Sequence, residues 1–329
     1  MSRADSADRI ALALALAATL AFIIPAASQT LAPPFAASSA PTPATAAGGA
    51  PADIAFGAYQ RGYFLTALHE AQRRVIDDPK DAKAMTLIGE IYSDGYAVPH
   101  SDVEAARWFR VAAGLGDREA AFALGLMLLN GANGVPADHA GAKALFEQAA
   151  AKGQAGALYN LGVIAIGDNA GGVADFAKAA DFFRRSAEAG DGDAAYSYGV
   201  LLREGKGVPL DIGESAKWLK RAADAGVAAG QVEYAIMLFN GVGVAKDEKG
   251  AAKMFLRAAA RNNPIAQNRL AHLFVLGRGV DKDLVEAATW NRFAKAAGID
   301  DPDLDVATSN LSADENKRVD ELIRRQSSF

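Results

Sequence analysis

Hydrophobic residues along most of the chain recur at the three- and four-residue spacing of a helix face. In the stretch that begins at residue 81, Ala84, Leu87, Gly89 and Tyr92 lie on successive turns, whereas a strand would alternate apolar and polar residues. The same arrangement returns five more times further along the chain. The pattern therefore predicts an all-α protein made of a repeated unit.

Two columns of residues define the period of this repeat. The first column is a large apolar residue followed by glycine or alanine, and the second is a large, often aromatic residue in the next predicted helix. Successive members of both columns are 36 or 37 residues apart. The first column is Ile88-Gly89, Leu124-Gly125, Leu161-Gly162, Tyr198-Gly199, Tyr234-Ala235 and Leu270-Ala271, and the second is Trp108, Leu145, Phe182, Trp218, Met254 and Trp290. Because both columns share one period, we predict six tandem repeats over residues 81–298.

Each repeat is predicted to be a pair of helices joined by a glycine-containing loop. Glycine just after a helix supplies a left-handed cap, as in Gly205-Lys206-Gly207-Val208. The second helix is predicted to follow a column of N-capping residues, and three repeats add a glutamate at the capping-box spacing. The capping column is Ser101, Asp138, Asp175, Asp211, Asp247 and Asp283, and the glutamates are Glu104, Glu214 and Glu286.

The second helices carry small residues on one face, such as Ala105 and Ala112 on either side of Trp108. Positions three and four apart share a helix face. We expect this face to press against the glycine of the first helix, and the second-column residue to fill the space between successive repeats. One helix pair cannot bury its own apolar face, so stability must come from stacking.

These motifs resemble the Sel-one-like repeat, a 36-residue variety of the tetratricopeptide superfamily. The fourth repeat, with Gly205, Trp218 and Gly226, is most similar to the family pattern, and the third departs from it because its loop lacks a clean Gly-x-Gly. The resemblance implies an α-solenoid of stacked helix-turn-helix repeats. Residues 53–80 resemble one ordinary tetratricopeptide pair that precedes the array.

The segments outside the repeats differ from them in composition. Residues 299–329 form an acidic tail, in which Ser312 and Glu315 are a capping box that predicts a capping helix to about Arg325. Residues 1–28 contain an apolar run followed by small residues, which is typical of a signal peptide. Residues 29–52 hold five prolines and no charge, so we predict a disordered linker. We expect a periplasmic or secreted protein; the alternative is anchoring in the membrane by an uncleaved signal.

Composition narrows the classes of function further. The chain has 329 residues, of which 75 are alanine and none is cysteine, so disulfides and thiolate chemistry are excluded. The abundant alanine favours helices with close backbone approach. A net charge of −5 argues against nucleic-acid binding, and we expect membrane contact only through an uncleaved N-terminal segment.

No constellation of catalytic residues is visible. None of the four histidines has a second histidine three or four positions away, which excludes the helical pairing of a zinc site. The Gly-x-Gly loops lack the strand, loop and helix order of a phosphate site. Asp301, Asp303 and Asp305 imitate a calcium loop without its glycine and final acid. We therefore expect no catalytic, cofactor-binding or metal-binding residue, and no enzymatic activity.

A binding surface remains as the functional expectation. The concave face of a solenoid is lined by its first helices, and the polar and aromatic residues there suit a peptide or protein. Each could equally be a solvated surface residue. The candidate groove residues are Glu90, Tyr159, Asn160, Tyr196, Arg203, Glu204, Glu233, Asn240, Arg269 and His272.

The resemblance and the residues together suggest a monomeric adaptor that binds a protein or peptide in the cell envelope. Exported members of the family include regulators of envelope sensor kinases and of exopolysaccharide production, so regulation of a kinase or assembly of an envelope complex is implied. The alternatives are a cell-wall or exopolysaccharide factor, or a wall-directed hydrolase. Cysteine-rich relatives have been linked to penicillin binding and hydrolysis, and the lack of cysteine here counts against that branch.

Overall fold

The computed structural model describes residues 53–167 and 174–326, and this part of the chain is helical apart from turns and one isolated β-bridge between Ala132 and Val135. The predicted signal peptide and linker lie outside it. The helices within residues 53–167 are α1 (Ile54–Gln60), α2 (Phe64–Asp77), α3 (Ala82–Asp94), α4 (Asp102–Gly114), α5 (Arg118–Asn130), α6 (His139–Ala151) and α7 (Ala155–Gly167). None of the described helices is long and apolar enough to cross a membrane.

The helices within residues 174–326 continue the same series. They are α8 (Phe176–Glu188), α9 (Gly192–Glu204), α10 (Ile212–Asp224), α11 (Ala228–Asn240), α12 (Glu248–Ala259), α13 (Pro264–Leu276), α14 (Leu284–Ala296), α15 (Pro302–Thr308) and α16 (Ala313–Gln326). The all-α prediction is confirmed, with stacked helix pairs of the α-solenoid class. The chain divides into two compact units, here called the N-terminal unit (53–174) and the C-terminal unit (175–326).

The first helices of the six repeats are α3, α5, α7, α9, α11 and α13, and each is followed by its second helix. The predicted capping column is confirmed, because every member accepts a backbone N–H from the first turn of its second helix. At Asp211, for example, Oδ1 lies 2.9 Å from the nitrogen of Glu214. Each such cap contributes about 1 kcal/mol.

The predicted capping boxes of the repeats do not form. In a capping box the glutamate accepts the N–H of the capping residue, but here the N–H of Asp211 donates to the carbonyl of Leu202 and that of Asp283 to Phe274, at 3.0 and 3.1 Å. The first helix has already satisfied the donor. Glu214 and Glu286 instead accept the indole N–H of a tryptophan four residues on. The box predicted at Ser312 and Glu315 is confirmed at the start of α16.

The deepest apolar column is one position later than the sequence pattern suggested. Phe109, Phe146, Phe183, Leu219 and Phe255 are at most 3 % exposed. Of the predicted column, Trp218 and Trp290 are buried, whereas Trp108, Leu145, Phe182 and Met254 are half-buried. A Cβ placed on Gly125 would lie 2.7 Å from Cε1 of Phe146, and the equivalent distance from Gly89 to Phe109 is 2.6 Å. The buried column thus packs on the first-helix glycine.

The small-residue face lies where it was expected. The alanines of the second helices, Ala105 and Ala142 among them, are fully buried, and Ser215 Oγ donates to the carbonyl of Gly199 at 2.7 Å. The sixth repeat has Asn291 at the deep position, and its Nδ2 donates to Asp305 at 2.9 Å. The last repeat is therefore closed by α15, a helix that the acidic sequence of the tail did not predict.

Candidate functional site

The ten predicted groove residues all lie on first helices. Glu90 is on α3, and Tyr159 and Asn160 are on α7, all within the N-terminal unit. The other seven lie in the C-terminal unit: Tyr196, Arg203 and Glu204 on α9, Glu233 and Asn240 on α11, and Arg269 and His272 on α13. Each unit is therefore described as a separate candidate surface.

Glu90 is a buried acid in the N-terminal unit. It is only 5 % exposed, and no hydrogen bond or ion pair joins its carboxylate to another described residue. Burial raises the pKa of the Glu90 carboxyl to about 8, and the negative charges of Asp94, Asp117 and Glu119 act in the same direction. The side chain was expected on an accessible groove, and the helix packing instead covers most of it.

We expect Glu90→Gln to change how the stability of the protein depends on pH. A carboxyl whose pKa is raised by folding, here from 4.5 to about 8, destabilises the folded state progressively as pH rises between those two values. The variant should match the parent near pH 5 and exceed its free energy of unfolding by on the order of 1–3 kcal/mol at pH 9. Denaturant unfolding at both pH values measures this, and parallel pH profiles would contradict it.

Tyr159 and Asn160 are half-buried on α7. The amide Nδ2 of Asn160 donates to the carbonyl of Gly156, one turn earlier in the same helix, at 2.8 Å. This bond holds the side chain against its own backbone.

The C-terminal unit brings three of the predicted residues together. Arg203 on α9 forms an ion pair with Glu233 on the next first helix, α11. Tyr196 lies on α9 beside this pair, and burial together with the charge of Glu233 raises its pKa. Glu204 is exposed and pairs with Lys206 at 2.8 Å. Adjacent first helices of this unit are thus joined by a charged pair next to an aromatic ring.

His272 lies inside the fold and not on an open surface. The imidazole is 1 % exposed, and its Nε2 lies 2.8 Å from Oδ2 of Asp301. Burial raises the pKa of Asp301, but hydrogen bonds from His272 and Asn268 outweigh burial and hold that pKa well below its usual range. Asp301 also caps α15, so the predicted ligand contact of His272 is occupied by the tail.

Arg269 is half-buried on the same helix as His272. Burial lowers the pKa of its guanidinium, and the nearby charge of Asp301 opposes that effect. Asn240 is half-buried at the end of α11. Asp301, the residue that caps the tail helix α15, thus acts on both Arg269 and His272. In the sequence it belongs to an incomplete calcium-binding motif.

Sequence reasoning missed the aromatic and acidic residues around Glu90. The hydroxyl of Tyr59 on α1 donates to Asp94 on α3 at 2.6 Å, and Phe64 stacks on Tyr96 with ring centroids 4.3 Å apart. These contacts join the helix pair before the array to the first repeat. The aromatic residues within residues 53–80 are the sequence feature that could have pointed to these contacts.

The described residues hold no group of three or more histidines and acids placed to bind a metal ion. A surface depression of about 440 Å³ lies between α10 and the loop that joins α11 to α12, lined by Asp211, Glu214 and Lys217 among others. It contains none of the predicted groove residues. At its rim, Lys217 pairs with Glu214 at 2.8 Å.

Comparisons with known proteins agree with the repeat period. A family model described as Sel1 repeat matches residues 82–117, 118–154, 155–191, 192–227, 228–263 and 264–298. The crystal structure of a Sel1 repeat protein from Oxalobacter formigenes is similar with a TM-score of 0.62 and 24 % identity, over 75 % of this chain and 97 % of that one. No curated protein matches the chain at a significant level.

A second solved structure supports the same fold. It is the crystal structure of c5321, a protective antigen present in uropathogenic Escherichia coli strains, which displays an SLR fold. Its TM-score is 0.52 at 24 % identity, over 83 % of this chain and 67 % of that one. At such identities the likeness is one of fold.

Proposed function

Because this chain belongs to the Sel1 repeat family, we propose that it is an exported scaffold that binds a protein or peptide segment on its first helices. Repeats of this family are suited to protein–protein interaction. The observation that carries the proposal is the surface of α9 and α11, where Tyr196 lies beside the Arg203–Glu233 pair. Aromatic residues and arginine are the residue types that contribute most to protein interfaces.

The cell envelope is the proposed location. The support is the sequence of residues 1–28, a short polar start and an apolar run that ends in small residues, as in export signals. In that compartment the scaffold regulates a sensor kinase or assembles an envelope complex, and it acts as a monomer without catalysis. Repeat stacking supplies its stability without disulfides.

Site-specific photo-crosslinking in intact cells tests this function. A photoreactive residue at Glu204, which is exposed on the first helix α9, should yield a crosslinked partner, whereas one at Leu256, exposed on the second helix α12, should not. Arg203→Ala should reduce the crosslink about five-fold or more, because it removes an interfacial arginine. Arg257→Ala is the matched control on the exposed face of α12 and should have little effect.

Three outcomes would contradict the proposal. Equal crosslinking from positions 204 and 256 would place the partner elsewhere or show nonspecific contact. Fractionation of the same cells that finds the full chain only in the cytoplasm would refute export. Turnover of a β-lactam or a wall fragment by the purified protein would favour the hydrolase alternative over a scaffold.

A further inference from the structure

The N-terminal unit carries three acids around the buried carboxyl of Glu90. We call Glu90, Asp94, Asp117 and Glu119 the acidic cluster; Glu90 and Asp94 lie on α3, while Asp117 and Glu119 lie at the start of the next first helix, α5. The charges of the other three acids act directly on the carboxyl of Glu90. The cluster therefore spans two adjacent first helices, where the proposed partner would lie.

Three of the four acids already have partners. Asp94 accepts the hydroxyl of Tyr59 at 2.6 Å, Asp117 accepts the N–H of Ala120 at 2.8 Å, and Glu119 pairs with Arg118 at 2.8 Å. Each of these interactions ties an acid to the fold itself. Glu90 is the member of the cluster that no such interaction ties to the fold.

Glu90 lacks any such partner among the described residues although it is 95 % buried, its exposure being 5 %. Burying an acid without a hydrogen bond or counter-charge is costly. Its two oxygens are not among the fully enclosed, unpartnered atoms of the described chain, so the carboxyl keeps a small contact with solvent. A group that donates hydrogen bonds and carries positive charge would satisfy this carboxylate.

Aromatic rings lie next to the acidic cluster. Tyr59 joins it through Asp94, and its ring packs edge-on against Phe64 at 5.4 Å. Phe64 in turn stacks on Tyr96, which is 56 % exposed. Aromatic faces attract ammonium and guanidinium groups. Carboxylates beside aromatic rings are therefore a chemically consistent environment for a basic side chain.

The neighbouring part of this chain does not supply the missing cation. Residues 29–52, which precede the described N-terminal unit, contain no charged residue. Arg118, the base closest in sequence to the cluster, is committed to Glu119 and to the carbonyl of Lys152 at 3.0 Å. These neighbours therefore leave Glu90 available to a counter-charge from another molecule.

We propose that the acidic cluster receives a lysine or arginine side chain of the bound protein segment, with Glu90 as its principal acceptor and the rings of Tyr59 and Tyr96 beside it. This inference rests on the proposed scaffold function and names the chemistry that the partner presents. An incoming cation would favour the ionised form of Glu90 and donate charge-assisted hydrogen bonds to the carboxylate, which the fold leaves unsatisfied.

Fluorescence anisotropy with two designed peptides tests the inference on the full chain. One probe is a rhodamine-labelled peptide of glycine and serine with three lysines, and the other has three glutamines in their place. We expect the lysine peptide to bind at least ten-fold more tightly. Glu90→Gln should weaken its binding about ten-fold, as loss of a charged hydrogen bond does, whereas Glu147→Gln should change it less than two-fold.

Glu147→Gln is a matched control because it makes the same change of charge at an exposed position on the second helix α6. Equal binding of both peptides, or equal weakening by both substitutions, would overturn the inference. A thermal midpoint of Glu90→Gln at or above that of the parent at pH 8 shows that lost binding is not unfolding. If the midpoint of Glu90→Gln fell instead, unchanged binding of the lysine peptide by its folded fraction would also contradict a role for Glu90 in binding.

The two proposals fail separately. Crosslinking through position 204 uses the C-terminal unit, so a specific partner found there without lysine selectivity would refute the acidic cluster and leave the scaffold function in place. Selective binding of the lysine peptide, with no crosslinked protein in cells, would support the cluster as a cation site and refute the scaffold function.

Discussion

Replacing Phe146 by alanine is expected to lower the free energy of unfolding by about 3–5 kcal/mol, the usual range for removing a fully buried phenylalanine. Its side chain is 0 % exposed and occupies the space above Gly125, where an added Cβ would come within 2.7 Å of the ring. It also packs on Phe122, with centroids 6.0 Å apart. Truncation would leave a cavity between the two helices of the second repeat.

The control for this experiment is Leu145→Ala, one position earlier on α6. Leu145 is half-buried and belongs to the column that the sequence pattern first suggested as the space-filling one. Its loss should cost about 1–2 kcal/mol, since less apolar surface returns to water. Denaturant unfolding of both variants measures the difference. A larger loss for Leu145→Ala would show that the structure assigns the deep column to the wrong position.

Replacing Gly279 by alanine is expected to cost about 2–4 kcal/mol, from an unfavourable backbone conformation combined with a steric clash. Gly279 is the second glycine of the loop between α13 and α14, and its φ is +71°. A Cβ there would lie 2.1 Å from the carbonyl oxygen of Glu248, at the start of the preceding second helix. Either the loop or α12 would have to move.

Gly298→Ala separates the two causes. Gly298 also has a positive φ, +89°, but a Cβ there would meet nothing within 4 Å. We expect about 1 kcal/mol for the backbone conformation alone. Thermal unfolding of the two variants gives the comparison. Equal losses would mean that the close approach between repeats contributes nothing, and the loop would then be only a connection between helices.

The period and the helix boundaries were predictable because they depend on local interactions. A capping residue such as Asp211 bonds to an N–H three residues away, and a glycine such as Gly205 ends its helix through its own backbone, with φ of +64°. Such signals lie within one or two turns of the chain. They repeat in every unit, so each repeat supports the assignment of the others.

The choice between adjacent columns was not predictable in the same way. Trp108 and Phe109 share the 36-residue period, and neighbouring positions on a helix differ by about 100° in direction. Which of the two is buried depends on where the first helix lies, and only its contact with Gly89 decides this. The capping boxes failed for a related reason, because the first helix already accepts the N–H of the capping residue.

The candidate surfaces show the same limit. The sequence could place Glu90 and His272 on first helices, but it did not show that the charge of Asp117 acts on Glu90 or that Asp301 of the tail contacts His272. Residues some 30 positions apart in sequence are brought close only by packing.

The sequence by itself determined the class of fold, the number of repeats and their helix ends, since these follow from short-range spacing and hydrogen bonding. The tertiary structure alone decided which side chains are buried, which charges are paired and which carboxylate is left unsatisfied, because those properties depend on the distance between helices that the sequence does not contain.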